Sequence, residues 1–184
     1  MKHLAFTVAI TFILLSCDSP KKDSASTFEH NVDSLVQHYL DSARIAGVAI
    51  AVVKDNQTLL LKSYGYADIA FDTKLPINAS FEIGSVTKQF TGAAILQLVE
   101  QGKLALDDDL AKYVTFDTHG KKVTVRQLLS HTSGIKGYTE LPVFEKLAAE
   151  KHKRDTLLRI VEKEPFDFEP GEALIYNNTG FFLL

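Results

Sequence analysis

"EIGSVTKQF" (82–90) places Ser85 three residues before Lys88, where a helical pattern begins. Serine suits such a position, because its oxygen can cap the first free backbone N–H groups of a helix. Lysine does not. The first turn carries partial positive charge and favours Asp or Glu, and a capping box would place Glu or Gln there. Residues three apart on a helix are neighbours, so this ammonium and this hydroxyl can meet.

Ser-x-x-Lys alone is a weak pattern, and it occurs three times: Ser19/Lys22, Ser85/Lys88 and Ser133/Lys136. The first lies in a polar stretch without period. The third is interleaved with Gly134 and Gly137 and belongs to a turn. Ser85/Lys88 opens a segment to Gln101 in which Val86, Phe90, Ala93, Ala94 and Leu98 form an apolar stripe, stopped by Gly102. A serine hydroxyl becomes a competent nucleophile when a nearby base takes its proton, and a lysine in its neutral form can be that base. The helix N-terminus adds backbone N–H groups for a developing oxyanion. Against this stands a plain alternative, a capped helix whose long lysine reaches into solvent.

The rest of the chain reads as an ordinary globular protein of 184 residues, 46% hydrophobic and 23% charged, with a formal net charge of −3. That balance gives no reason to expect nucleic acid as a partner. "KHKR" (151–154) reads as a solvated helix face rather than a phosphate-binding patch. The six histidines form neither His-x-His nor His-Glu-x-x-His, so no metal or other cofactor is expected.

Residues 1–16 are different in kind. Lys2 and His3 precede "LAFTVAITFILL" (4–15), too short for a comfortable membrane span and suited to a signal peptide. The run ends at "LLSC", which resembles the lipobox of bacterial lipoproteins and implies cleavage before Cys17 and its lipidation. A buried free thiol is the alternative; as the sole cysteine, Cys17 has no intramolecular disulfide partner. A lipidated Cys17 implies a membrane partner through its anchor and a place in the bacterial cell envelope. Residues 17–28 read as a flexible tether and 29–184 as the folded portion.

Within that portion, 29–44 has amphipathic helical spacing. Residues 47–54 and 58–66 read as strands around a turn at Asp55–Asn56, the first apolar enough to be covered on both faces. Residues 71–80 read as a loop. Short helices are expected over 106–114, capped by an aspartate, and over 123–131, capped by Thr124, with further helical stretches at 142–151 and 155–163. Helix, strands and then a run of helices indicate an α+β or mixed α/β fold.

"FEPGEALIYNNTG" (168–180) holds Tyr176-Asn177-Asn178, the only Tyr-x-Asn in the chain. With Ser85-x-x-Lys88, "GKLALDDDLAKYV" (102–114) and "VTVRQLLSHTSGI" (123–135), it resembles the family of class C beta-lactamases, D,D-peptidases and related serine esterases. The resemblance implies a beta-lactamase/transpeptidase-like fold, an antiparallel central sheet flanked by helices plus an all-helical region. It also implies a serine hydrolase acting through an acyl-enzyme on a beta-lactam, a D-Ala-D-Ala-type peptide or an ester. Ser85 would accept the acyl group, Lys88 would be its proton partner and Tyr176 a second acid/base. Asn178 would orient the substrate amide or Lys88. Whether Lys88 or Tyr176 takes the first proton stays open.

His131, beside Ser130 and Ser133, suggests a different constellation, but adjacent residues at a helix end do not face one another, and no Gly-x-Ser-x-Gly elbow is present. The family's third motif, a Lys-Thr-Gly or His-x-Gly strand, does not follow "GFFLL" (180–184). The chain is therefore expected to be the N-terminal portion of a longer enzyme, inactive as it stands, with an unpaired sheet edge and an uncovered face. A truncated relative or binding protein on the same scaffold is the competing reading.

Overall fold

The structure, a computed structural model, describes residues 24–42 and 45–184. The expected signal peptide, Cys17 and most of the expected tether lie outside the described residues. The chain divides into two compact units, with the boundary between Phe81 and Glu82.

The first unit is a helix and a small sheet. Helix α1 (Ser24–Asp41) begins before the expected residue 29, taking in part of the expected tether. Once the amphipathic segment nucleates a helix, each added residue costs little. Strands β1 (Gly47–Lys54), β2 (Gln57–Asp68) and β3 (Thr73–Lys74) form an antiparallel sheet in that order. Asp55 and Asn56 make the expected two-residue turn, both in the left-handed region at φ 49° and 60°. That conformation matches the twist of paired strands. A register shift between Val52 and Val53 lets β1 continue opposite Leu60.

Strand β3 lies within the stretch read as a loop. Two residues are too few to carry an alternating pattern. Their pairing with Tyr66 and Asp68 is supported by Lys74 Nζ, 3.5 Å from the centroid of the Tyr66 ring. Alternate residues of a strand share a face. On one face of β2, Lys62 Nζ bonds Glu29 at 2.9 Å and Asp33 at 2.7 Å, and the Tyr64 hydroxyl donates to Asp33 at 2.7 Å. Leu60 is buried on that face. Leu61, on the opposite face, is 61% exposed, and β1 residues are half-buried or exposed rather than covered on both sides.

The second unit (Glu82–Leu184) is helical. A 3-10 turn (Gly84–Val86) leads into α2 (Thr87–Glu100), so the expected helix starts as a tighter turn holding Ser85. Its end is a Schellman motif. Gly102 N–H donates to the Val99 carbonyl, and Lys103 N–H to that of Leu98, both at 2.9 Å. The predicted stripe is not the buried side. Val86 and Phe90 are 53% and 62% exposed, while Ile95 is buried. A helix with apolar residues spread over several sides does not reveal from sequence which side meets the core.

The helix expected over 106–114 shrinks to a 3-10 turn (Leu110–Lys112), with Asp109 capping the Ala111 N–H at 3.0 Å. The backbone before it pairs elsewhere: Arg126 N–H donates to the Leu106 carbonyl at 2.8 Å, and Val125 N–H to that of Asp108 at 3.3 Å. Helix α3 (Val125–Leu129) has the Thr124 cap, completed as a capping box by Gln127. Helices α4 (Phe144–Ala149), α5 (Arg154–Val161) and α6 (Asn178–Leu183) follow. Leu110, Phe116, Val123, Leu128, Ile135, Leu141, Leu158, Val161 and Leu183 make the core of this unit. Each such buried side chain contributes roughly 1.5–3 kcal/mol.

Candidate active site

Ser85 stands in the 3-10 turn, but its side chain caps nothing. Instead, Lys88 Nζ donates to Ser85 Oγ at 3.2 Å, and the Tyr176 hydroxyl donates to the same oxygen at 2.6 Å. Lys88 also donates to Asn178 Oδ1 at 2.6 Å, with its ammonium 4.7 Å from the centroid of the Tyr176 ring and 5.5 Å from that of Phe181. The four residues singled out in the sequence thus meet around one oxygen atom and one ammonium. A lysine at the positive end of a helix is satisfied here by an amide oxygen, a hydroxyl and two ring faces. Ser85 is exposed and Tyr176 is 49% exposed, so the Ser85 hydroxyl is open to a ligand.

Tyr176 reaches Ser85 because the loop before α6 is tied to the end of α3. Asp167 N–H donates to the Gly134 carbonyl and Gly171 N–H to that of Thr132, both at 2.8 Å. Lys136 Nζ pairs with Asp167 at 2.7 Å, which accounts for the lysine of the third Ser-x-x-Lys match; Ser133 is buried and accepts from the Ile135 N–H at 3.4 Å. His131 has φ 59°. Its carbonyl accepts from Ile175 N–H at 3.1 Å, and its Nδ1 accepts from Asn177 N–H at 3.1 Å. Burial first, and then the Lys88 charge, hold the His131 imidazole below its ordinary value, in keeping with a neutral ring that accepts at Nδ1. Its place is beneath the Tyr176 loop as a support.

Buried Asn177 caps α6, accepting from Gly180 N–H at 2.8 Å and donating to the Ile135 carbonyl at 2.6 Å. Those bonds set where α6 begins and so where Asn178 projects. Thr139, which no sequence pattern singled out, accepts from Asn178 Nδ2 at 3.1 Å. With the amide nitrogen so occupied, Oδ1 is left facing Lys88. Thr139 sits in a 3-10 turn (Tyr138–Glu140), and a threonine in a short turn carries no signal of the partner it meets.

Beside Ser85 lies an open cleft of about 310 Å³, walled by Thr87, Thr91, Tyr138, Phe181 and Phe182. The Tyr176 phenol is held below its ordinary value, first by the neighbouring Lys88 and then by its hydrogen bond with Ser85. A hydroxyl flanked by a lysine and an acidified phenol is an arrangement able to exchange protons during attack on a carbonyl. Among the described residues no cluster of His, Cys, Asp and Glu could hold a metal ion.

The beta-lactamase family model matches residues 32–184, which takes in every residue of this site. The chain belongs to the beta-lactamase family. It is 31% identical over 161 residues to Protein flp of Staphylococcus aureus (strain MRSA252), covering 85% of this chain and 32% of that protein. It is 26% identical to a putative D-alanyl-D-alanine carboxypeptidase of Salmonella paratyphi A, covering 96% of this chain and 45% of the relative. The penicillin-binding protein homologue from Pyrococcus abyssi superposes with a TM-score of 0.72 at 28% identity, over 84% of this chain and 37% of that one. The fold is therefore beta-lactamase/transpeptidase-like, and the chain spans about a third to a half of the length of these family members.

Proposed function

We propose that this protein is a serine hydrolase in which Ser85 carries the acyl group. The observation that supports the reading best is the position of Ser85 Oγ, between Lys88 Nζ at 3.2 Å and the Tyr176 hydroxyl at 2.6 Å, at the edge of an open cleft. Ser85 Oγ bonds to the carbonyl carbon of the substrate while its proton passes to the Lys88–Tyr176 pair, which has first released one proton to solvent. The carbonyl carbon then loses its bond to the leaving oxygen or nitrogen, which takes a proton from the same pair. Water adds to the resulting ester and releases the acid, restoring the Ser85 hydroxyl. Tyr176, acidified by its neighbours, is suited to hold and return the proton. Lys88 stands beside it, and Asn178 holds the lysine.

The substrate classes proposed are D-Ala-D-Ala-type peptides, esters and beta-lactams, with general acyl hydrolysis favoured over a dedicated lactamase. The names of two relatives, a putative D-alanyl-D-alanine carboxypeptidase and a penicillin-binding protein homologue, support keeping peptide and lactam in that set. The test, made on the longer enzyme of which this chain is expected to be the N-terminal portion, is covalent labelling with a fluorescent penicillin and a fluorophosphonate, followed by peptide mapping. The expected adduct is on Ser85 and is lost in Ser85→Ala. Labelling that survives that substitution would overturn the assignment.

Thr139→Val removes the acceptor that orients Asn178, and a displacement of this kind is expected to slow Ser85 labelling about 10-fold. Thr139→Ser keeps the hydroxyl and should restore the rate. A merely structural threonine would lower the unfolding midpoint and leave the labelling rate as it was.

A further inference from the structure

Two rings that wall the Ser85 cleft have a second exposure. Tyr138 and Phe182, 6.0 Å apart edge-to-face, also line a separate cavity of about 220 Å³ between α4 and α5. Its other walls include Phe144, Leu147, Ala148 and Leu157, and the Phe144 ring stands 5.9 Å from that of Tyr138. Tyr138 is held in place from the site side, since its N–H donates to Thr179 Oγ1 at 3.0 Å and the next residue, Thr139, carries Asn178. An open pocket, apolar over Tyr138, Phe144, Leu147 and Leu157 and rimmed by Glu150, His152 and Lys153, thus shares two aromatic rings with the cleft. An apolar cavity of about 150 Å³ is known to take benzene, so this one has room for a ring or a short alkyl chain.

We infer that the chamber receives the apolar end of the substrate's acyl group, making the protein selective for acyl donors with a linear alkyl or phenylalkyl tail. The inference rests on Ser85 being the acylated residue, as proposed above. Tyr138 and Phe182 form the sill over which the tail passes from the Ser85 cleft into the chamber. Leu147 and Leu157, both half-buried, meet its carbons, and Ala148 stands exposed at the α4 side. Small aromatic-walled chambers gain affinity with each methylene removed from water, by about four-fold per methylene at 25 °C.

The test is a series of alkyl fluorophosphonates from methyl to octyl, with the rate of Ser85 phosphonylation read by intact mass and peptide mapping. The rate is expected to climb with chain length, by up to roughly 10³-fold between methyl and hexyl if every added methylene is buried, before levelling once the chamber is filled. Ala148→Trp, at an exposed position that should not disturb folding, is expected to flatten the series. Leu157→Ala enlarges the chamber and should move the plateau to longer chains. One rate for all chain lengths, or a series indifferent to Ala148→Trp, would overturn the acyl chamber and leave Ser85 as nucleophile. No phosphonylation of Ser85 by any member would overturn both.

Discussion

Replacing Lys88 by Met is expected to slow acylation of Ser85 by about 10³- to 10⁴-fold, the upper part of the range for loss of a positioned acid–base group. Methionine keeps much of the lysine's length and apolar stem but carries no proton and no charge. Three neighbours are affected. Ser85 Oγ loses the donor at 3.2 Å, Asn178 Oδ1 loses the donor at 2.6 Å, and Tyr176 loses the cation over its ring. The last has a sign that can be measured. The neighbouring Lys88 is the first cause of the lowered Tyr176 value, so the phenol of the variant should titrate at higher pH. Ultraviolet difference titration of wild type, Lys88→Met and Tyr176→Phe isolates that one phenol. In wild type the rising alkaline limb of the acylation rate should follow Tyr176, and in the variant it should move upward in pH. A variant within a few-fold of wild type, with an unmoved limb, would exclude Lys88 from the proton transfer.

Gly134→Ala is expected to cost about 2–5 kcal/mol, from left-handed strain in a non-glycine residue and from overpacking against fixed backbone. Gly134 has φ +74°, and a Cβ there would lie 2.0 Å from the Phe168 carbonyl oxygen and 3.1 Å from its carbon. That carbonyl has little freedom to retreat. Asp167 N–H is bonded to the Gly134 carbonyl, and the Asp167 carboxylate to Lys136. Gly120 provides the control. It has nearly the same φ, +75°, but nothing within 4 Å of an added Cβ, so Gly120→Ala should show the strain without the clash. Urea unfolding of both variants separates the two contributions, and equal losses would show that the contact with Phe168 is unimportant. Because this loop leads to Tyr176, the Gly134 variant should also lose labelling at Ser85 at temperatures where it remains folded.

Much of the local structure could be read directly. Asp55–Asn56 as a hairpin turn, Thr124 and an aspartate as caps, and Gly102 as a helix stop are short-range features. Each depends on the conformational preferences or hydrogen-bonding reach of a few neighbouring residues, and each is where it was expected. Misjudged elements were those decided by distant partners. The segment 106–109 resembles a helix start, yet its backbone pairs with 123–126. Two-residue β3 exists only because β2 lies beside it. The buried side of α2 passes through Ile95, since apolar residues spread over several sides of the helix do not choose one.

The same division runs through the candidate site. Spacing along the chain was enough to put Ser85 and Lys88 side by side, because a helical turn brings residues three apart into contact whatever surrounds it. Tyr176-x-Asn178 was marked as the partner motif by resemblance alone. What Ser85 does with its oxygen could not be read in this way. A serine at a helix start caps the backbone unless something draws its side chain away, and here that something is a phenol ninety-one residues distant in sequence. Its arrival depends on a left-handed Gly134, on the pairing of the loop beyond Asp167 with that glycine, and on His131 accepting the Asn177 N–H. The orientation of Asn178 depends in turn on Thr139. Such contacts arise from loop closure and side-chain packing across the fold, and neither leaves a periodic trace in the order of residues.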